Sequence, residues 1–480
     1  MTRGDAFGPH SPAEDSLDER IAAAPSGPVV TAFVVVDGGL LAGSPLAPFA
    51  APASSWGRFA AQIRSGVDGP SEVTPADVEQ VVRSRQGRPV DEVAKEGRTT
   101  FRSTTASWLH PEVWRLAVGH ARRGHRVVLV SAATTAEVEP IARELGADDV
   151  VCTRVSVDDG QVGGIASPVC SGGPAADAVS AWADAHDADL TSAFAYGPAS
   201  ERPLLDLVAH SAVVGEPDEL RPALPVAPRG SVPPVEALGG TLGFYGGFTA
   251  ATAVGVATGF LHGGARRRRA WTLAGSLGSE LGLGLAGIDV EVVSGEEHLW
   301  SARPAVFVFN HQSLLDAIVV LSLLRRDFTG VAKAEAKSMP LFGQLFQLAD
   351  VAFVERGNTA QAREALAPAV DRLQAGTSLA LAPEGTRSTT PRPGRFKKGA
   401  FHMAMQAGVP MVPIVLENTG ELMWRFDRSL RPGTVRVVVH PPVDTTGWRL
   451  GTMNEHVADV RGLFLETLGL AEEKAEARGE

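Results

Sequence analysis

His311 and Asp316 are suited by type and order to move a proton. A histidine held by a carboxylate makes a general base: the carboxylate fixes the tautomer and stabilises the imidazolium, while the other ring nitrogen takes a proton from a hydroxyl. Their spacing corresponds to about 140° of rotation on a regular helix, so the two meet only if His311 lies in the turn before the helix carrying Asp316. A plainer reading stays open, in which Ser313-x-x-Asp316 is a helix capping box and His311 a hydrogen-bonded turn residue. A second concentration is cationic. From Gly385 to Leu416 there is no Asp or Glu, while Arg387, Arg392, Arg395, Lys397 and Lys398 all fall there. In a chain of net charge −11 this is a local anion site. Arginine's planar fork suits phosphate, and Gly385 allows close approach of backbone to ligand. A solvated basic loop is the alternative.

The elements that must position these residues are short apolar strands. Residues 305–309 (AVFVF) lead directly into Asn310-His311, and a helix follows from Ser313 with Leu314, Leu315, Ile318, Val319, Leu321 and Leu323 largely apolar. Residues 378–382 (SLALA) end in Pro383-Glu384-Gly385-Thr386-Arg387-Ser388, and residues 351–354 end in Glu355-Arg356-Gly357. Ligands of open α/β sheets gather beyond the carboxyl ends of strands, which is where all three groups fall. Val409-Pro410-Met411-Val412-Pro413-Ile414 reads as a Pro-punctuated strand, a wall more than a reagent.

Taken in order, Asn310-His311 with Asp316, Phe353-Val354-Glu355-Arg356, Glu384-Gly385-Thr386-Arg387, and Val409-Pro410-x-Val412-Pro413 resemble the four blocks of the bacterial 1-acylglycerol-3-phosphate acyltransferase family. Phe396-Lys397-Lys398-Gly399-Ala400-Phe401 is also similar to that family, and the likeness covers roughly residues 295–443. The resemblance implies that His311 deprotonates the acceptor hydroxyl and Asp316 orients His311. It implies further that Arg356, Glu384, Gly385, Thr386 and Arg387, with Lys397 and Lys398, shape a glycerol-phosphate site. The acceptor would be a lysophospholipid, lysophosphatidic acid above all, and the donor acyl-CoA or acyl carrier protein. Glu355 stands where the family commonly has Asp. No metal or redox cofactor is called for, because a thioester is already activated and needs only a base and oxyanion support.

The first half opens on a buried parallel strand, residues 29–36 (VVTAFVVV), with helical spacing to about 122 and a second strand at 126–130. A helix with Val138, Ile141, Ala142 and Leu145 on one stripe follows and ends at Gly146, completing a doubly wound pattern. Residues 32–40 and 127–133 resemble the first two motifs of haloacid-dehalogenase phosphatases of the phosphoserine phosphatase type, a fold with a helical cap. In that family a nucleophilic Asp sits two residues before an acid/base Asp, and this chain has Val35 and Asp37 there. Valine forms no aspartyl-phosphate. The lysine region is Gly172-Gly173-Pro174-Ala175-Ala176, and the acidic metal-binding motif is replaced by residues 196–202 (YGPASER). The domain reads as degenerate, with Asp37 and Ser131 kept as turn and cap residues. A phosphatase or phosphate-binding module anchored by its second half is the competing function.

With 480 residues the chain exceeds a single core. The expected division is a polar, disordered tail at 1–28, the degenerate domain at 29–215, a Pro-rich linker at 216–237, a membrane-associated helical segment at 238–288, and the acyltransferase domain at 289–480, all of α/β class. Residues 238–261 carry no charge and stop before Arg266-Arg267-Arg268-Arg269. A transmembrane helix, a hairpin dipping into one leaflet and a buried core helix all fit; in the first two the arginines mark the anionic cytoplasmic surface. The cytoplasmic face of the cell membrane is the expected location. The acidic balance argues against nucleic acid, and Cys152 and Cys170 are too few for a disulfide framework.

Overall fold

The computed structural model describes residues 12–50, 73–215, 221–226, 235–333, 352–354, 359–425, 427 and 429–470. It divides into two compact units, Met1–Val232 with Gly469–Glu480, and Pro233–Leu468.

The first unit is built on a parallel sheet in which β1 (Thr31–Val35) lies between β2 (Arg126–Thr134) and β6 (Phe194–Gly197). Outside these pair β3 (Asp149–Thr153), and on the other edge β7 (His210–Val214) and β8 (Ala223–Leu224). β4 (Val155–Asp158) and β5 (Gln161–Ile165) form a separate antiparallel hairpin. Every residue of β1 is buried, as a continuous β-branched run demands when both faces of a sheet are covered. Between β1 and β2 run the helices α2 (Pro75–Arg85), α3 (Val90–Ser103) and α4 (Pro111–Arg122), the first two in the place of a cap. After β2 comes α5 (Thr135–Leu145), stopped by Gly146 at φ 80°. The helix after β5 is α6 (Gly173–Ala185).

Two expectations are corrected here. Within the supposed tail, Pro12–Ala23 is a helix, α1. Its Leu17 and Ile21 lie one turn apart and are buried, and Asp18 pairs with Arg115 of α4 at 2.6 Å. A polar composition hid two apolar residues at helical spacing. Two residues of the expected linker, Ala223 and Leu224, belong to the sheet: Val213 N–H donates to the Pro222 carbonyl at 3.0 Å, and Leu224 is fully buried. An edge strand tolerates proline because one of its sides needs no donor.

The second unit begins with two helices, α7 (Val235–Gly259) and α8 (Gly264–Leu285). They touch along small residues: a Cβ on Gly255 would come within 1.9 Å of Ala274 Cβ, and one on Gly278 within 3.0 Å of the Phe248 carbonyl. Phe244, Phe248 and Leu283 reach inward to the core built around Phe307, Val412 and Ile414. Outward stand Leu273, Leu277, Leu281 and Leu285 of α8, one per turn, with Leu238, Leu242 and Tyr245 of α7, all exposed. Among the described residues no helix is long and apolar enough to cross a membrane. The hairpin therefore covers part of the core with one face and presents leucines with the other, and the side chains of Arg266, Arg267 and Arg268 lie outside the described residues. Arg269 pairs with Asp327 at 2.8 Å.

The sheet of this unit runs β12, β11, β13, β10, β14, β15, β9. In chain order these are β9 (Ile288–Ser294), β10 (Val306–Phe309), β11 (Phe328–Lys333), β12 (Ala352–Val354), β13 (Ser378–Leu381), β14 (Met411–Leu416) and β15 (Gly433–Val439). β10 is central and parallel to β13 and β14, which brings the ends of the three strands together, and β14 and β15 are antiparallel. The accompanying helices are α9 (Leu315–Leu324), α10 (Thr359–Gln374), α11 (Gly399–Ala407) and α12 (Met453–Thr467).

Candidate active site

The site forms where β10, β13 and β14 end. Asn310 closes β10 with a side chain that pairs as a backbone residue would: its Nδ2 donates to the Leu416 carbonyl, and its Oδ1 accepts from Leu416 N–H, each at 2.8 Å. This carries the pairing with β14 one step past the strand and fixes the exit of the next residue, His311. His311 stands in the turn before α9, the geometry that lets it meet Asp316 on the first turn of that helix, with Nδ1 and Oδ2 at 2.8 Å. Asp316 has no exposed side-chain surface, while the His311 ring is 23% exposed. Oδ2 also accepts the N–H groups of Gln312 (2.7 Å) and Ser313 (2.8 Å), and Oδ1 accepts from the Thr419 hydroxyl. One carboxylate thus holds the histidine and gathers the turn's amides, but the reciprocal capping box does not form: the Ser313 hydroxyl accepts from Leu315 N–H at 3.1 Å and donates to the Met423 carbonyl at 2.5 Å. Because a carboxylate only accepts, Nδ1 carries the hydrogen and Nε2 of the neutral ring keeps its lone pair.

The loop after β13 straps the same turn from the other side. His311 N–H donates to Glu384 Oε1 at 2.7 Å, and Ser388 N–H donates to the His311 carbonyl at 2.6 Å. Glu384 Oε2 accepts from Gly394 N–H at 2.8 Å and from the Ser388 hydroxyl. Burial pushes the Glu384 carboxyl up, against the pull of those donors. Expected as a substrate contact, Glu384 instead has both oxygens taken by protein. Gly385, at φ 68°, turns the loop where a side chain would be strained, and Thr386 is exposed. Arg387 is half-buried, and its Nη1 donates to the Arg425 carbonyl. Desolvation lowers its pKa while the nearby Asp316 charge opposes that. Lys397 and Lys398 are exposed just before α11. Arg356 and Glu355 lie outside the described residues. Thr419 and Arg425 belong to the segment between β14 and β15 and had no signal in the sequence, since more than a hundred residues part Thr419 from Asp316.

At the first unit's counterpart, Asp37 Oδ2 accepts from the Ser131 hydroxyl at 2.6 Å and from Ala132 N–H at 3.0 Å. Burial raises its pKa. Val35 is buried against Gly197, where a Cβ would lie 2.6 Å from Val35 Cγ2. Glu201 accepts from Gly172 N–H at 2.8 Å, and its pKa is raised by burial and by the neighbouring Asp37 charge. The 196–202 stretch therefore does keep one buried carboxylate, held on the Gly172 amide.

Residues 291–417 match the family model described as Acyltransferase, and residues 36–198 match that of the haloacid dehalogenase-like hydrolases. The chain is 35% identical over 204 residues to a 1-acyl-sn-glycerol-3-phosphate acyltransferase of Limnanthes alba, covering 42% of this chain and 71% of that enzyme. An enzyme of the same name from Saccharomyces cerevisiae is 32% identical over 187 residues, covering 38% of this chain and 61% of its own length. The 1-acyl-sn-glycerophosphate acyltransferase structure from Thermotoga maritima aligns with 26% identity and a TM-score of 0.42, over 51% of this chain and 98% of that one.

Proposed function

Because the chain belongs, through its C-terminal half, to the 1-acyl-sn-glycerol-3-phosphate acyltransferase family, we propose that it moves a fatty acyl group from acyl-CoA or acyl carrier protein to the hydroxyl of lysophosphatidic acid, giving phosphatidic acid. The observation that carries this reading is the buried Asp316 holding Nδ1 of a partly exposed His311 at 2.8 Å. His311 Nε2 takes the hydroxyl proton as the acceptor oxygen attacks the thioester carbonyl. Collapse of the tetrahedral intermediate breaks the C–S bond, and the proton passes from the imidazolium to the departing thiolate. Asp316 stabilises the imidazolium between those steps. Arg387, with Arg356 in support, meets the acceptor's phosphate through paired hydrogen bonds. No metal or redox group is needed, since the thioester supplies the activated carbonyl. The test is thiol release from acyl-CoA in the presence of lysophosphatidic acid: His311→Ala should cost at least ~10²-fold in rate. A folded His311→Ala protein with near wild-type transfer would remove the base assignment.

The same reading places the second unit on the cytoplasmic face of the cell membrane, with the exposed leucines of α7 and α8 in the outer part of one leaflet. It assigns the first unit no phosphatase activity, because Val35 offers no nucleophile and residues 172–176 no lysine.

A further inference from the structure

The loop that follows β13 carries Glu384 and Arg387 and closes on itself where Lys397 N–H donates to the Pro383 carbonyl at 2.8 Å. The far part of this loop is held from α12, a helix that lies beyond residues 291–417 and supplies nothing to the four sequence blocks. Arg461 of α12 donates from Nη2 to the Pro393 carbonyl at 3.0 Å and from Nε to the Gly394 carbonyl at 3.1 Å. Phe464, three residues on and on the same face of the helix, meets Phe396 edge-on with ring centroids 5.1 Å apart.

The Pro393 carbonyl and the Gly394 N–H belong to one peptide unit, and its two ends are engaged by opposite charges. The guanidinium of Arg461 bonds the oxygen, while the N–H donates to Glu384 Oε2 at 2.8 Å and, at the longer distance of 3.2 Å, to the Ser388 hydroxyl. A cation bonded to a carbonyl polarises the peptide and makes its N–H a stronger donor, as in any chain of hydrogen bonds. Glu384 Oε1 then accepts His311 N–H at 2.7 Å. Three hydrogen bonds and one peptide unit therefore connect α12 to the turn that presents the histidine.

Glu384 has need of such support. It is buried, and burial acts against its charged form. A carboxylate inside a protein stays ionised only where donors meet it. A protonated Glu384 would turn one of its oxygens into a donor among donors.

We propose that Arg461 is a positioning residue of the acyl-transfer site: through the 393–394 peptide it keeps Glu384 charged and aimed at the His311 amide. Its effect reaches the reaction through Glu384 and leaves the binding of both substrates alone. This inference rests on the acyl-transfer reading above.

The experiment follows thiol release from acyl-CoA with lysophosphatidic acid for wild type, Arg461→Met, Arg461→Lys, Glu384→Gln and the Arg461→Met/Glu384→Gln double variant. Methionine keeps an unbranched stem and removes the charge and both donors; lysine keeps the charge and one donor site. Arg461→Met should lower kcat by ~10-fold or more, the loss expected for a charge-assisted bond. The KM for each substrate should stay within about twofold of wild type. Arg461→Lys should recover most of the lost kcat. In the Glu384→Gln background Arg461→Met should cost less than about threefold more, because two changes to one link do not add. Wild-type kcat in Arg461→Met, a raised KM with kcat unchanged, no recovery in Arg461→Lys, or the full loss repeated in the Glu384→Gln background would each overturn the assignment. Should Arg461→Met fail to fold, Arg461→Lys in the two backgrounds carries the same comparison. Failure of the underlying reading looks different: wild type itself would then release no thiol in response to lysophosphatidic acid.

Discussion

Both carboxylate oxygens of Glu384 accept from donors of its own and the His311 turn, and on the proposed function this residue is expected to act on the acceptor through His311. Glu384→Gln would set an amide nitrogen against at least one of those donors. Leaving such a buried group unpaired costs about 1–3 kcal/mol. The expected outcome is a fall in kcat of roughly 5- to 150-fold with the acceptor KM nearly unchanged, because the histidine's position suffers and the phosphate contacts do not. Steady-state kinetics checks this, and a raised acceptor KM at constant kcat would return Glu384 to the substrate. The contrast with Arg387 marks what sequence could carry. His311, Asp316 and Arg387 are legible because each sits in a compact block at a strand end. The target of Glu384 is not, since a carboxylate beside an arginine reads as part of the same ligand site until the chain is folded. Thr419 and Arg425 come from beyond β14, and only the parallel pairing of β10 with β14 brings that segment over the His311 turn.

The helical hairpin shows the same limit for whole elements. A charge-free run next to arginines was visible, but hydropathy alone left a span, a hairpin and a core helix open. That the two helices pair as a hairpin is decided by glycines whose partners lie on the other helix, such as Gly255 against Ala274. They let α7 and α8 approach closely enough to bury Phe244 and Phe248 on one side and leave one leucine per turn of α8 on the other. Each of those leucines returned to an apolar phase is worth roughly 1.5–3 kcal/mol. Leu273, Leu277 and Leu281 are exposed, so replacing all three by Ser should leave the melting temperature within a few degrees of wild type while abolishing flotation with anionic liposomes. A triple variant that floats like wild type would show that the hairpin's outer face does not bind the bilayer. The Pro-rich stretch after residue 216 is the converse case, read as linker because prolines exclude a central strand, and found in part as the two-residue edge strand β8, which fits between Pro222 and Pro225.

At the scale of the whole molecule, a chain too long for one core divides into two units, and the two have opposite fates at their strand ends. In the second unit the strand-end residues converge on one partly exposed histidine; in the first they pack on one another. Hydrolysis through an aspartyl-phosphate needs a carboxylate nucleophile, a second acid for the leaving group, a lysine and a set of metal ligands. Val35 occupies the nucleophile's place and packs on Gly197, while Asp37 gives Oδ2 to Ser131 and Ala132 and keeps Oδ1 buried without a hydrogen bond. Glu201 accepts through Oε2 from Gly172 N–H, and α6 begins without a lysine. Among the described residues no three carboxylate, histidine or cysteine groups gather to hold a metal ion. The wild-type protein should therefore release no Mg²⁺-dependent phosphate from p-nitrophenyl phosphate or phosphatidic acid. Val35→Asp should not restore it, because a carboxylate there is buried against Gly197 and α6 begins without a lysine; its melting temperature should fall instead. Acyl transfer by Asp37→Asn should match wild type. Phosphate release by the wild-type protein that disappears in Asp37→Asn would show that Asp37 still works as an acid, and that this unit retains a hydrolytic route without an aspartate at position 35.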